Sequence, residues 1–473
     1  MLLMGLTEQF ERAMAFVSQS DFTIQRAQSA KLHMNREVSF FETAIRYLGG
    51  LLSAYALSNE AVFLQKADEL ASILAPAFDT GSGFPRFGFD ILTGLPVDRG
   101  ISGSLAEVAS CQLEYAYLAR LTGKKEHYDR SAKIFDNLRQ VNLSETGMLP
   151  KSYGLMNGEP LDRSISVGGG SDSGHEYLLK YYLLTGQKDD WSLDMYMRTI
   201  NHVMTKMLYV TPRRGLLYIT DIYGFRDTPA YRMEHLSCFF PGLLALGVHT
   251  LPPDVFSNAH KGFTPSQAEK LSGHDVRDLH MWAAIGLGET CWRMYADEAS
   301  GLSPELIAMR FPTAPVPSGL WVDAFTDWKV NGTGSLPPGT EDKPLMDNVR
   351  DYEVSNRNYY LRPETVESMY LLWKATGDEL WRDRGWVIFE ALEKEARTEV
   401  AYAPLKNVAV TDGGQHDDMP SFFLAETLKY LYLLFLDEDP VPLDKWVYNT
   451  EAHPFPIFEW SSLEKSNFNI SES

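Results

Sequence analysis

Apolar and polar positions along the chain fall into two recurring helical patterns, separated by polar, Gly-rich and Pro-rich connectors, and almost nothing alternates as a strand would. The first pattern is nearly apolar throughout and rich in small residues. It comprises FETAIRYLGGLLSAYALS at 41–58, SLAEVASCQLEYAYLARLTG at 104–123, HEYLLKYYLLTG at 175–186, HLSCFFPGLLALG at 235–247, the 363–377 stretch and PSFFLAETLKYLYLLF at 420–435. A helix that is apolar all round is buried on all sides. The second pattern is amphipathic and charged, as in AVFLQKADELASIL, HYDRSAKIFDNLRQV, WSLDMYMRTINHVM and LWRDRGWVIFEALEKEA, which suits an outer layer. The inner stretches share an ending, Thr122-Gly123, Thr185-Gly186 and Thr376-Gly377. Inner and outer helices that alternate in this way predict stacked helical hairpins and an all-α fold. Six full inner helices are expected, and the opening MLLMGL, followed by amphipathic EQFERAMAFV, is the remnant of a seventh. The Gly/Pro-rich segment 331–345 is expected to be a long loop, because the alternation continues beyond it. Residues 1–473 are therefore taken as one unit, with 437–473 as its C-terminal segment.

Composition narrows the partners. The chain has 473 residues, 44% of them hydrophobic and 22% charged, with a net charge of -20. That charge argues against nucleic-acid and anionic-membrane partners and is compatible with neutral ligands and cations. No run of 18 apolar residues exists, so no membrane span is expected. Cys111, Cys238 and Cys291 have no zinc-like spacing, which leaves at most one disulfide and one free thiol. The start MLLMGLTEQF lacks the charged flank of a secretory signal, whereas sequons at Asn142, Asn331 and Asn469 point to a secretory route.

The chemistry gathers at the inner helix starts. In LRPETVES, Pro363 suits a first helical position and two carboxylates, Glu364 and Glu367, share the face of the first turn, where free backbone N–H groups favour negative charge. Each acid taken singly is also an ordinary helix cap. The pattern recurs, however, with Glu42, with Glu107 and Glu114, and with Asp172 and Glu176. Parallel inner helices would bring these ends to one mouth, and like charges so confined call for a compensating cation such as Arg46, Arg362 or a bound hard metal ion. Paired carboxylates suit glycoside hydrolysis, in which one acid protonates the leaving oxygen and another activates water. The histidines show no HExxH spacing, His235 stands alone at the opening of a buried helix, and no Walker, dinucleotide or GxSxG motif is present.

At these residues the sequence resembles glycoside hydrolase family 47, the class I α-1,2-mannosidases. The matching segments include FETAIRYLGGLLSAYALS, AFDTGSGFP, SDSGHEYLLK, HLSCFFPG, TCWRMYADEASGLSPE, LRPETVES, SFFLAETLKYLYLLF and WVYNTEAHPFP, which cover nearly the whole length. The resemblance implies an (α/α)7 barrel and a calcium-dependent, inverting exo-α-1,2-mannosidase that trims high-mannose N-glycans. The expected address is the endoplasmic reticulum or Golgi lumen, or secretion, and a monomer is expected. Carried over, Glu42 matches the family's proposed general acid, Asp172 a second candidate for that role, and Glu364 the proposed general base. Arg46, Glu107, Glu176, His235, Arg362, Glu367 and Glu451 match pocket residues. Thr450 matches the direct calcium ligand, and Cys238 and Cys291 match a disulfide pair.

Three departures qualify the resemblance. Pro420 stands where the family usually has a glutamate near the metal, with Asp417 or Asp418 as replacements to be considered. Gly170 stands where some endoplasmic-reticulum members have an arginine, which implies a roomier pocket and a broader branch preference. The beginning matches only the end of a family segment, so the N-terminal outer helix is expected to be missing. The rival reading is therefore a catalytically weak, mannose-binding relative of the degradation-enhancing, quality-control type, or a truncated pseudoenzyme.

Overall fold

Outer helices form where one apolar stripe meets a charged face. In Ala61–Leu74 the buried residues are Phe63, Ala67, Leu70, Ala71 and Leu74, a spacing of three, four and seven that makes one stripe. The inner helix Asp172–Leu184 shows no such stripe, since every residue from Ser173 to Leu184 is buried. The first inner helix, expected to be buried on all sides, buries only Gly49, Leu52 and Ser53 within Gly49–Ser58. The computed structural model describes residues 1–22, 37–90, 93, 95–97, 100–144, 146–224, 227–258, 264–310, 319–332, 335–346 and 350–470.

Among the described residues the six inner helices all form. Two are single α-helices, Asp172–Leu184 and Glu364–Thr376. The others are composite. The first runs Phe40–Glu42, then a wider π turn over Thr43–Leu48, then Gly49–Ser58. The second is broken into Leu105–Val108 and Gln112–Thr122, because the Gln112 side chain takes the Cys111 N–H that a continuous helix would use. The fourth opens with a tight turn, His235–Phe239, before Phe240–Thr250. The sixth has a π turn, Phe423–Thr427, before Leu428–Leu434. Gly123 and Gly377 end their helices in the left-handed conformation. The N-terminal stretch folds as a turn, Leu2–Met4, and the amphipathic helix Thr7–Gln19, with Leu3 packed against the core.

Two features differ from the sequence expectation. The 21-residue helix Val276–Ala296 fits neither of the two sequence patterns, because it keeps several charged residues yet is buried on nearly every face. A Cβ on its Gly286 would lie 2.8 Å from Leu217, and one on Gly288 would lie 2.7 Å from Leu372, so neighbours cover both sides. In addition, thirteen short strands form six small sheets among the described residues. Each has two to five residues, too short to show alternation. One of these sheets is three-stranded, with Leu306–Met309 paired to both Arg232–Glu234 and Tyr352–Asn356.

Candidate active site

The inner helix starts converge as the carboxylate pattern predicts. Glu42, Arg46, Glu107, Asp172, Glu176, Arg362, Glu364, Glu367, Thr450 and Glu451 line one cavity of about 340 Å³. His235 is fully buried behind that lining rather than in it. Glu114 is the exception among the acidic starts. The helix break carries it below the cavity, where it accepts hydrogen bonds from Tyr177 Oη at 2.8 Å and Asn449 Nδ2 at 2.7 Å.

One wall holds Glu364. Its Oε2 accepts from His235 Nδ1 at 2.9 Å. An ionised carboxylate only accepts, so Nδ1 carries the proton and Nε2 faces the hydroxyls of Tyr295 at 2.9 Å and Thr365 at 3.1 Å. Arg362 lies 3.8 Å from Glu364 and donates from Nε to Glu305 at 2.7 Å. Burial pushes the Glu364 carboxyl up, but His235, Arg362 and a helix-terminal N–H outweigh it and hold the group below the ordinary glutamate value. Arg362 is aimed by its neighbour Leu361, a buried residue at φ 61 whose carbonyl accepts from the Thr427 hydroxyl at 2.7 Å. A left-handed non-glycine residue costs about 1–2 kcal/mol and persists only where packing imposes it. The Cys238–Cys291 disulfide ties the turn that carries His235 to the Val276–Ala296 helix, as the resemblance implied, and Cys111 is free and buried.

The other two acids, Asp172 and Glu42, line the same cavity. Asp172 Oδ1 accepts the Ser173 N–H at 2.9 Å. Burial first, then the charges of Glu176, Glu364 and Glu234, push its carboxyl up to about 7. Glu42 is half exposed and paired with Arg46 at 2.6 Å, which also reaches Glu451 at 3.4 Å and Ser421 at 3.0 Å. The two carboxyls are pushed in opposite directions: Glu364 is held ionised, and Asp172 keeps a substantial protonated fraction near neutrality.

The floor is more acidic than the sequence indicated. Glu426 also lines the cavity, brought there by the Phe423–Thr427 π turn. Burial and then its carboxylate neighbours raise Glu426 well above its ordinary value, and Glu367 to about 8. Lys180 is buried against Glu176, lies 3.7 Å from Glu367 and reaches the Asn449 carbonyl at 3.5 Å. Its signal was legible, since a lone lysine in an apolar helix four residues after a glutamate needs a buried partner. Asn449 Oδ1 accepts the N–H groups of Glu451 and His453, both at 2.9 Å, and this closes the turn that presents Thr450. Asp417 and Asp418 are exposed and outside the lining, so neither supplies the acid that Pro420 replaces. Gly170 lines the cavity at φ 85.

Residues 1–457 match the sequence profile described as glycosyl hydrolase family 47. The chain belongs to this family. It is 34% identical to mannosyl-oligosaccharide 1,2-alpha-mannosidase MNS3 of Arabidopsis thaliana, over 93% of this chain and 70% of that protein. It is also 34% identical to the endoplasmic reticulum mannosyl-oligosaccharide 1,2-alpha-mannosidase of Homo sapiens, over 97% of this chain and 57% of that protein. The chain spans from just over half to about 70% of the length of these curated relatives. A solved alpha-1,2-mannosidase from Trichoderma reesei superposes with a TM-score of 0.77 at 29% identity, covering 96% of this chain and 88% of that one. The fold of this family 47 chain is the (α/α)7 barrel, and among its described residues no helix is long and apolar enough to cross a membrane.

Proposed function

We propose that this chain hydrolyses terminal α-1,2-linked mannose from high-mannose N-glycans, with inversion, in the secretory pathway. The observation that carries the reading is that two carboxyl groups lining one pocket are pushed in opposite directions, Glu364 below its ordinary value by His235 and Arg362, and Asp172 above it by burial. Glu364 takes a proton from the attacking water, and His235 and Arg362 hold its carboxylate in place. Asp172 gives its proton to the leaving oxygen. Glu42 is the other acid available, and its close pairing with Arg46 favours a supporting part, for instance through a bridging water. Arg46, Glu107 and Glu451 supply polar contacts for sugar hydroxyls.

The floor suits a hard cation. Its donors are all oxygens, and burial leaves Glu176, Glu367, Glu426 and Glu451 mutually repelling. Thr450, offering its carbonyl and its hydroxyl, would hold calcium directly, with these carboxylates around it. When bound, calcium would hold hydroxyls of the terminal mannose.

Digestion of a nine-mannose glycan, followed by proton NMR of the first-formed sugar, tests the whole reading. β-Mannose should appear first, and with glycine at position 170 trimming should continue past a single residue. Release of α-mannose first overturns inversion, and a stop after one mannose overturns the branch preference. Binding without any release would favour the catalytically weak relative.

The pH profile is a second expectation. The base must be ionised, so kcat/KM falls only below the lowered Glu364 value. The acid must be protonated, so kcat/KM falls again as pH rises through about 7, the Asp172 value. Asp172→Asn should remove that alkaline limb along with most of the rate. An unchanged limb in this variant would reassign the acid to Glu42.

A further inference from the structure

The three-stranded sheet delivers more to the pocket than its size suggests. Glu234 ends the strand Arg232–Glu234, where it pairs with Leu306, and His235 follows it directly. The His235 N–H donates to the Glu305 carbonyl at 2.9 Å, which locks this corner to the neighbouring strand. From the same corner, His235 reaches Glu364 on one side. On the other side Glu234 Oε2 accepts the Gly169 N–H at 2.8 Å. Gly169 lies inside a turn closed by the N–H groups of Ser171 and Asp172, which both donate to the Gly168 carbonyl at 3.0 Å. A Cβ on Gly168 would stand 2.8 Å from Glu234 Oε2, so glycine is what lets the carboxylate approach.

We propose that Glu234 is a positioning residue, clamping the Gly168–Asp172 turn to the strand that also carries His235 and so fixing the Asp172 carboxyl relative to Glu364. Two consecutive residues then span the acid and the base. Their separation decides whether an attacking water fits between them and the sugar. This role rests on the reading of Asp172 as acid and Glu364 as base. The charge of Glu234 adds to the effect, since the groups facing Asp172 are mainly anionic: Glu176 on its own helix, Glu234, Glu107, Glu42 and Glu364, with Arg362 and Lys151 as the nearby cations.

The test uses Glu234→Gln and Glu234→Ala in the full chain, with two readouts. Glutamine keeps an oxygen for the Gly169 N–H and drops the charge, whereas alanine drops both. By the usual cost of a small misplacement, the alanine variant should lose about 10–100-fold in kcat, with KM and the glutamine variant's kcat each within about threefold of native. Separately, the ¹³Cγ resonance of Asp172, assigned with Asp172→Asn, should titrate at lower pH in Glu234→Gln, because a like charge has gone. A raised KM with native kcat would make Glu234 a substrate contact and overturn the proposal. Native kcat in the alanine variant would overturn it too. If the alanine variant fails to fold, the glutamine titration decides. That titration needs no turnover, so an inactive native chain would sink the mannosidase reading without deciding this one.

Discussion

Glu364→Gln is expected to lower kcat by about 10²–10⁴-fold, the range for loss of a general base, while leaving the fold intact. The amide has the same shape, and its oxygen still accepts from His235 Nδ1, now held at 2.9 Å. Arg362 keeps its shorter partner, Glu305 at 2.7 Å, and loses only a contact at 3.8 Å. What disappears is the ionised acceptor for a proton from water. KM should therefore move little, because the lost interaction forms mainly in the transition state. Glu367→Gln, three residues on, is the internal comparison. Glu367 belongs to the floor rather than to the acid and base, so its loss should act on the calcium requirement, and kcat at saturating calcium should fall clearly less. Steady-state kinetics on α-1,2-linked mannobiose, with circular dichroism to confirm folding, decide the matter. A Glu364→Gln rate within threefold of native, or a larger loss in Glu367→Gln, would move the base elsewhere.

The residues involved show which parts of the site a sequence can reveal. Glu107 and Glu364 were legible because they obey a local rule: carboxylates in a first turn are stabilised by free N–H groups, whatever the rest of the fold does. Glu107 meets it fully, closing a capping box with Ser104. Glu426 obeys no such rule. It enters the cavity because Phe423–Thr427 is wound as a π turn, a local widening that the helical period does not announce. Glu234 and Glu305 were hidden for another reason. They sit on or beside strands of three and four residues, and what gives them meaning is pairing between segments about 70 positions apart. The barrel was legible from the alternation of apolar and amphipathic helices, except where Val276–Ala296 keeps charged residues yet is covered on both sides. Local chemistry thus located the mouth of the pocket, and long-range pairing sets how its groups are aimed.

Chelation carries the other large effect: mannose release is expected to stop in a divalent-cation chelator and to return with added calcium. Around Thr450 the cavity gathers Glu176, Glu367, Glu426 and Glu451, with Lys180 and Arg46 as the protein's own counter-charges. Among the described residues no three His, Cys, Asp or Glu side chains are placed to grip an ion directly. Such a site suits an ion that takes six to eight oxygens, water among them, rather than zinc, which wants about four close N or S donors. Added zinc should therefore fail to restore the rate. Stability gives a weaker signal. An ion at 100 times its Kd adds about 2.7 kcal/mol, and a chain of this length has an unfolding entropy near 1 kcal/mol/K, at about 2 cal/mol/K per residue. The expected fall in Tm is then only about 3 °C, so activity is the sensitive readout and differential scanning calorimetry the supporting one. Thr450→Ala keeps the carbonyl and removes the hydroxyl. It should raise the calcium concentration needed for half-maximal rate by about 10–100-fold, the usual loss when a metal site is disturbed, with kcat at saturating calcium much less affected. Full activity in chelator would remove the cation from the reaction. The floor carboxylates would then have to be neutralised by protons, Lys180 and Arg46 alone.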